Sequence, residues 1–435
     1  ITMMSVSRNK NILWLMLIIP IILSAGVTGK IRGRVVDANS DDPLVGVNVI
    51  VDGTNMGAST DLDGYYNLIG LNPGTYSIRV SYISYASMLI TDVKVMVDLS
   101  TEINFELQSE VLEGELVTVV ARAPAVRKDV TSTSYRVSAE DIEALQVENL
   151  SDIINLQAGV VEGHFRGGRG GEVMYIVDGI PINDSYSGDV PMDIENDMIQ
   201  AMEVISGTFN AEYGQAMSGI VNIVTKEGQN YFTGKVSSYF GDYLSDHTDI
   251  FNHIDDVNPL AINNLSISLS GPLPSLMGMP ANFSIMARRS YTPGYLFGEE
   301  IFLPHDSSNF YNPDNPSIVS SGSGDVVPLA SNERQTIQGK ITLKPYDKGK
   351  FNFSGFYQSR AYQDYDRQFK YNPLGNYQRL DGDFRGSIQF THLFSAETFI
   401  TLNASQGFTK YSQYVYEDWQ DPRYVPLWYA TGTGG

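Results

Sequence analysis

The residue types able to do chemistry are few and badly spaced for catalysis. The five histidines, His164, His247, His253, His305 and His392, sit in no His-x-x-Glu or His-Glu-x-x-His spacing. The zinc-peptidase arrangement therefore has no support. The chain has no cysteine, which excludes thiolate metal sites, cysteine nucleophiles and disulfides. No Gly-x4-Gly-Lys-Ser/Thr phosphate loop and no Gly-x-Ser-x-Gly elbow occurs. Asp61, Asp63 and Gly64 look like the start of a calcium loop. The distal Glu and remaining oxygen ligands of such a loop are missing, so this segment reads as a hairpin turn. Carboxylates are too many and too scattered for any pair to stand out. The expectation is a protein that is not an enzyme and carries neither metal nor cofactor.

Two stretches remain with binding chemistry. The first is Arg166-Gly167-Gly168-Arg169-Gly170-Gly171. An arginine–glycine run can hold RNA, but a net charge of −21 opposes nucleic-acid binding, which needs a basic face. Arg166 and Arg169 are better read as loop cations that meet carboxylates or an anionic ligand. The second is Glu115-Leu116-Val117-Thr118-Val119-Val120-Ala121. A short Val-rich stretch between two domains is a ready strand for capture by a partner's sheet edge. The alternative is a linker strand packed on one of its own domains.

The elements that must position these residues fall into regions. Arg8 and Lys10 precede the apolar run Ile12–Leu23 and the small residues Ser24-Ala25-Gly26, the pattern of a secretory signal over residues 1–28. Residues 30–108 read as a β-sandwich, with turns about every ten residues at Gly53-Thr54-Asn55, Asp61–Gly64 and Pro73-Gly74. Residues 109–128 read as a linker containing the Val-rich strand. Residues 129–229 read as a compact α+β domain. Ser138 with Asp141 forms a near capping box, and a second short helix starts at Asn149. Strands follow at Val173–Val177, Ala201–Ile205 and Gly219–Thr225.

Residues 230–435 alternate differently. Leu265, Ile267 and Leu269 interleave with Ser266, Ser268 and Ser270, and Ile400, Leu402 and Ala404 with Thr401, Asn403 and Ser405. One face is apolar and the other small, polar and uncharged, the dyad of a membrane-spanning strand around a wet lumen. Ser270-Gly271-Pro272 and Pro345–Gly349 read as tight turns, and His305–Asn332 as a long outer loop.

Several motifs carry a family resemblance. Gly33-Arg34-Val35, Pro43–Val49, Thr60–Tyr65 and Leu71–Tyr76 resemble the carboxypeptidase regulatory-like module, which is not a peptidase. Asp141–Leu145, Asn149–Ile154 and Ala158-Gly159-Val160 resemble the first helices of TonB-dependent receptor plugs, with Ala158 in place of the usual Pro. Tyr175–Ile182, Ile199–Gly207, Ala211–Gly214 and Ser218–Lys226 resemble the later plug motifs. These place Asp178, Gly179, Pro181, Glu203, Gly207, Tyr213 and Gly214 in the plug's structural framework. In this setting Glu115–Ala121 resembles the TonB box, and Arg166 and Arg169 lie on a plug loop that meets barrel-wall carboxylates or an anionic ligand.

The resemblance implies a mainly β chain: a sandwich, a plug, then the first strands of a transmembrane antiparallel barrel. Barrels of that type have roughly 22 strands, whereas residues 231–435 offer about six to eight candidates, so a truncated barrel is expected. The implied function is active uptake of a nutrient ligand (siderophore, cobalamin, glycan or peptide) across a Gram-negative outer membrane. Implied partners are a TonB-type energy-coupling protein, outer-membrane lipid, the ligand and a surface lipoprotein, with no nucleic acid. The alternative is a cell-surface or periplasmic binding protein that does not transport.

Overall fold

The computed structural model describes residues 28–424 except 55, 98, 110–116, 121–132, 146, 148, 185–187, 189, 191, 208–215, 277, 310, 312–313, 347 and 396–397. The signal segment, most of the linker, Glu115, Leu116, Ala121, Tyr213 and Gly214 lie outside the described residues.

The N-terminal unit is a two-sheet sandwich. Its strands are β1 (Gly29–Asp37), β2 (Asn48–Val51), β3 (Gly57–Ser59), β4 (Tyr65–Leu71), β5 (Gly74–Ser81), β6 (Met88–Val95), β7 (Ser100–Glu102) and β8 (Phe105–Leu107). One sheet runs β4-β1-β7 with β8 also on β1, and the other runs β3-β2-β5-β6. Alternate residues of both sheets meet in one core, in which Ile31, Val35, Val47, Val49, Ile78, Val80 and Phe105 are buried. A ninth strand, β9 (Val117–Val120), completes the second sheet beyond β6.

The turn at Asp61–Gly64 forms, but it does not close a hairpin. β3 and β4 belong to different sheets, so the segment arches across the core. Thr60, buried, donates to Leu44 O at 2.5 Å and accepts from Val47 N. This anchors the arch where paired strands would otherwise continue.

The middle unit contains β10 (Thr133–Ser138), α1 (Ala139–Ala144), α2 (Leu150–Asn155), the small pair β11 (Val160–Val161) and β12 (His164–Phe165), then β13 (Val173–Val177), β14 (Ile180–Pro181), β15 (Ile199–Ser206) and β16 (Gly219–Thr225). Its mixed sheet has the order β10-β15-β16-β13-β14. Central β16 is buried at every position, as its apolar composition requires. The capping box at α1 is complete: the Ser138 hydroxyl accepts from Asp141 N, and Asp141 accepts from Ser138 N at 3.0 Å. Helices α1 and α2 bury Ile142, Leu150, Ile153 and Ile154 against Met202, Val204, Val221 and Ile223 of one sheet face.

The C-terminal unit is a seven-stranded antiparallel meander: β17 (Thr233–Gly241), β18 (Ile262–Leu276), β19 (Met279–Thr292), β24 (Asn332–Tyr346), β25 (Gly349–Tyr362), β26 (Gln378–Leu393) and β27 (Phe399–Tyr414). Four short strands decorate the long β19–β24 connection: β20 (Phe297–Glu299), β21 (Ser308–Asn309), β22 (Ser317–Ile318) and β23 (Val326–Pro328). The sheet stays open among the described residues. Connections at one end are short (277–278 and 347–348). At the other end they are long (242–261, 293–331 and 363–377).

Ser270-Gly271-Pro272 is not a turn but the middle of β18, in register with Ser284-Phe283-Asn282 of β19. Gly271 leaves room for the Phe232 ring, which a Cβ there would meet at 2.4 Å. Pro272 lies beyond the last residue that pairs with β17, Ser270, so its missing N–H breaks no ladder bond on that side. Among the described residues no helix is long and apolar enough to cross a membrane.

Candidate functional site

The middle unit lies against one face of the seven-stranded sheet, and the contact is built around a turn. β13 and β14 are joined by Asp178-Gly179, both at positive φ (50° and 82°), the two-residue turn whose twist matches a hairpin. A non-glycine residue holds that conformation only when its surroundings fix it. The Asp178 carboxylate accepts from Thr225 N at 3.0 Å and from Thr225 Oγ1 at 2.7 Å. Lys340 Nζ of β24 lies 2.8 Å from the same carboxylate and donates to Thr225 O at 3.1 Å. Gln389 Nε2 of β26 donates to Asp178 O at 3.1 Å. Pro181 follows in β14 with its ring exposed.

Other contacts repeat one polarity. Carboxylates of the middle unit meet cations of the sheet: Glu195 with Arg288 (3.0 Å), Asp197 with Lys235 (2.6 Å), Glu227 with Lys350 (2.9 Å) and Asp193 with Arg334. The Glu195–Arg288 pair is withdrawn from water, at 5% and 8% exposure. The inward face of the sheet is therefore charged, which corrects the reading of that face as small, polar and uncharged. The alternating pattern concealed Lys235, Arg334 and Lys340 because each stands at an inward position whose neighbours along the strand are Ser, Thr, Gln or Asn. Lys340 between Gln338 and Thr342 is one such site.

Lys350 joins all three units. It donates to Glu227 Oε1 at 2.9 Å and to Asn72 Oδ1 of the sandwich at 3.1 Å, and Asn352 Nδ2 donates to the same Glu227 oxygen at 2.8 Å. Burial pushes the Glu227 carboxyl up. The Lys350 and Lys340 ammoniums and the hydrogen bonds from Lys350 and Asn352 outweigh that and hold it at about 2. Burial, with the Glu227 charge adding to it, pushes the Tyr76 hydroxyl up to about 12. The sandwich thus sits at the end of the sheet that carries the short turns.

Glu203 forms a buried ion pair with Arg136, its register partner on edge strand β10, and stands opposite Asn222 on β16. Gly207 has φ +101°, and the Arg166 guanidinium lies where a Cβ on Gly207 would project. Arg166 and Arg169 are both exposed, and Arg169 N donates to Glu172 Oε2 at 3.1 Å. The ion pairs found between middle unit and sheet run opposite to the expected arginine-to-wall-carboxylate sense. Within 115–121, the backbone of Val117–Val120 pairs in parallel with Met88–Thr91 of β6.

The outer face of the sheet presents Leu265, Ile267, Ile285, Ile337, Ile341, Phe353, Tyr357, Phe384, Ile388, Leu402 and Phe408 to the surroundings, all of them exposed. A continuous apolar band of this extent is foreign to a water-facing surface. Aromatic pairs gather toward the short turns: Phe232–Phe283, Phe351–Phe390, Tyr346–His392 and His392–Phe394. An apolar band, an aromatic girdle, short turns at one end and long loops at the other are the layout of outer-membrane strands.

Residues 31–119 match the CarboxypepD_reg-like domain, and residues 126–221 match the TonB-dependent Receptor Plug Domain. Over 227 residues the chain is 26% identical to the TonB-dependent transporter Oar of Myxococcus xanthus, covering 48% of this chain and 21% of Oar. It is 28% identical over 241 residues to the TonB-dependent receptor SusC of Bacteroides thetaiotaomicron (50% and 23% covered). It is 28% identical over 148 residues to the vitamin B12 transporter BtuB of Vibrio vulnificus (31% and 24% covered). The matches thus span between a fifth and a quarter of these relatives' own length. Among solved structures, the siderophore receptor PirA of Pseudomonas aeruginosa superposes with a TM-score of 0.44 at 17% identity, covering 66% of this chain and 42% of that one. The chain thus carries a CarboxypepD_reg-like domain followed by a TonB-dependent receptor plug domain, and its homologues are TonB-dependent transporters and receptors.

Proposed function

We propose that the chain is part of a TonB-dependent outer-membrane receptor that takes up a nutrient ligand and is not itself an enzyme. The observation that carries this reading is the plug held by buried Asp178–Lys340 and Glu195–Arg288 contacts against the inner face of a sheet with an apolar outer face. In this reading the domains run as a signal at 1–28, the sandwich at 30–108, a linker at 109–128, the plug at 129–229 and barrel wall from 230 onward. The ligand binds between the plug and the long loops, and the exposed Arg166 and Arg169 are the plug cations proposed to meet it. Glu115–Ala121 is the strand that a TonB-type periplasmic protein captures. Pull on that strand reaches the plug through residues 121–132 and β10. The other partners in this reading are outer-membrane lipid against the apolar band and a surface lipoprotein over the long loops.

The test is a deletion of Glu115–Ala121 in the full-length receptor. Energy-dependent uptake is expected to be lost while ligand still binds at the cell surface. Unchanged uptake overturns the reading. Loss of membrane integration on replacing Ile337, Ile341 and Ile388 with Asp distinguishes it from a water-soluble binding protein, which would tolerate those changes.

A further inference from the structure

The partner strand already has a partner. β9 lies parallel to β6, with Met88 opposite Val117, Leu89 opposite Thr118, Ile90 opposite Val119 and Thr91 opposite Val120. The sheet order β3-β2-β5-β6-β9 makes it the outermost strand of the sandwich. Its hold on the fold is one-sided and short: four register positions on one neighbour, in the parallel pairing that is the weaker of the two kinds.

We propose that the β6 edge of the sandwich is the resting dock of the partner-binding strand, and that a strand-capturing periplasmic protein takes β9 by exchange with β6. This rests on the reading of residues 115–121 as the captured segment. Exchange suits the energetics. Backbone hydrogen bonds to β6 are replaced nearly one for one by bonds to the incoming sheet edge, so neither state dominates by a large margin. The apparent affinity for the partner is lowered in proportion to the fraction of receptors in which β9 is undocked.

The dock also decides where a pull is felt. The sandwich is tied to the wall and plug through Asn72–Lys350 and to the end of the plug through Tyr76 near Glu227. A pull on β9 while it is paired with β6 therefore loads the sandwich. Only after β9 leaves β6 do residues 121–132, whose length allows a reach of at most ~43 Å, pass the load to Thr133 at the start of β10. Release from β6 is thus a step that precedes plug movement.

Residues 1–435 hold no cysteine, and any cysteine elsewhere in the full-length receptor is replaced by serine before the test. Neighbouring strands lie ~4.8 Å apart, within the Cα separation a disulfide spans. The register pair Leu89→Cys/Thr118→Cys in the full-length receptor is therefore expected to close under mild oxidation, and Thr91→Cys/Val120→Cys provides a second pair. The oxidised receptor is expected to bind the purified periplasmic domain of the cell's TonB-type protein at least about tenfold more weakly than the same protein after reduction. Each single-cysteine variant is expected to bind like the parent. Equal binding in the oxidised and reduced states overturns the proposal, as does failure of both pairs to close. If the parent and every reduced variant fail to bind the domain at all, the underlying reading of 115–121 as the captured segment is what has failed, and the dock falls with it.

Discussion

The Lys340 ammonium of β24 lies 2.8 Å from the Asp178 carboxylate at the plug's β13–β14 turn, with the two side chains 3% and 12% exposed. Removing one member of a buried pair leaves the other uncompensated and costs about 3 kcal/mol. Lys340→Met should lower the plug's resistance to denaturant-driven release from the wall by that order. The double variant Asp178→Asn/Lys340→Met should recover most of the loss. A double variant no better than Lys340→Met alone would show that the pair does not latch the plug.

The junction at Lys350 should respond to acid. Glu227 is held at about 2, below the ordinary carboxylate value of 4.5. A depressed carboxyl stabilises the state that depresses it at every pH above the unfolded value. That contribution fades as pH falls from about 4.5 through about 2. Protection of the sandwich–plug junction from hydrogen exchange should therefore be flat from neutral pH to about 5 and decline below it. Glu227→Gln should be weaker at pH 7 and lack the acid-dependent decline.

Arg136 and Glu203 tie edge strand β10 to β15 with little water access, at 8% and 2% exposure. Glu203→Leu alone should destabilise the plug by about 3 to 5 kcal/mol, because it strands a buried guanidinium. Arg136→Met/Glu203→Leu should come back to within about 1 kcal/mol of the parent. Protease protection of β10 in the full-length receptor reads both.

A methyl group at position 219 has no space. A Cβ on Gly219 would stand 2.2 Å from Phe165 Cδ1, at the start of the fully buried β16. Gly219→Ala should cost about 1 to 3 kcal/mol, read as a lowered plug unfolding midpoint. Phe165→Leu placed on top of it should regain part of that loss, since the obstruction is the ring.

The sequence revealed elements and motifs better than contacts. The capping box at Ser138 and Asp141 was readable because both partners lie within three residues. Period-two alternation gave the membrane-facing strands, since one face must suit lipid throughout. What escaped depends on distant chain. Asp61–Gly64 carries every sign of a hairpin turn, and only the pairing of β4 with β1 instead of β3 makes it an arch. Ser270-Gly271-Pro272 has turn composition, but the Phe232 ring and the end of the β17 ladder at Ser270 let a straight strand run through it. The wall cations Arg288, Lys340 and Lys350 hid among neutral inward neighbours because their carboxylate partners lie up to 162 positions away, as Asp178 does from Lys340.

Every ion pair described between plug and wall puts the negative group on the plug. Wherever the plug withdraws, its carboxylates leave with it, and the wall left behind is lined with ammonium and guanidinium groups. In a chain of net charge −21, this face of the seven described strands would then be locally electropositive. Opposite charges on the two surfaces would draw the acidic plug back against that face.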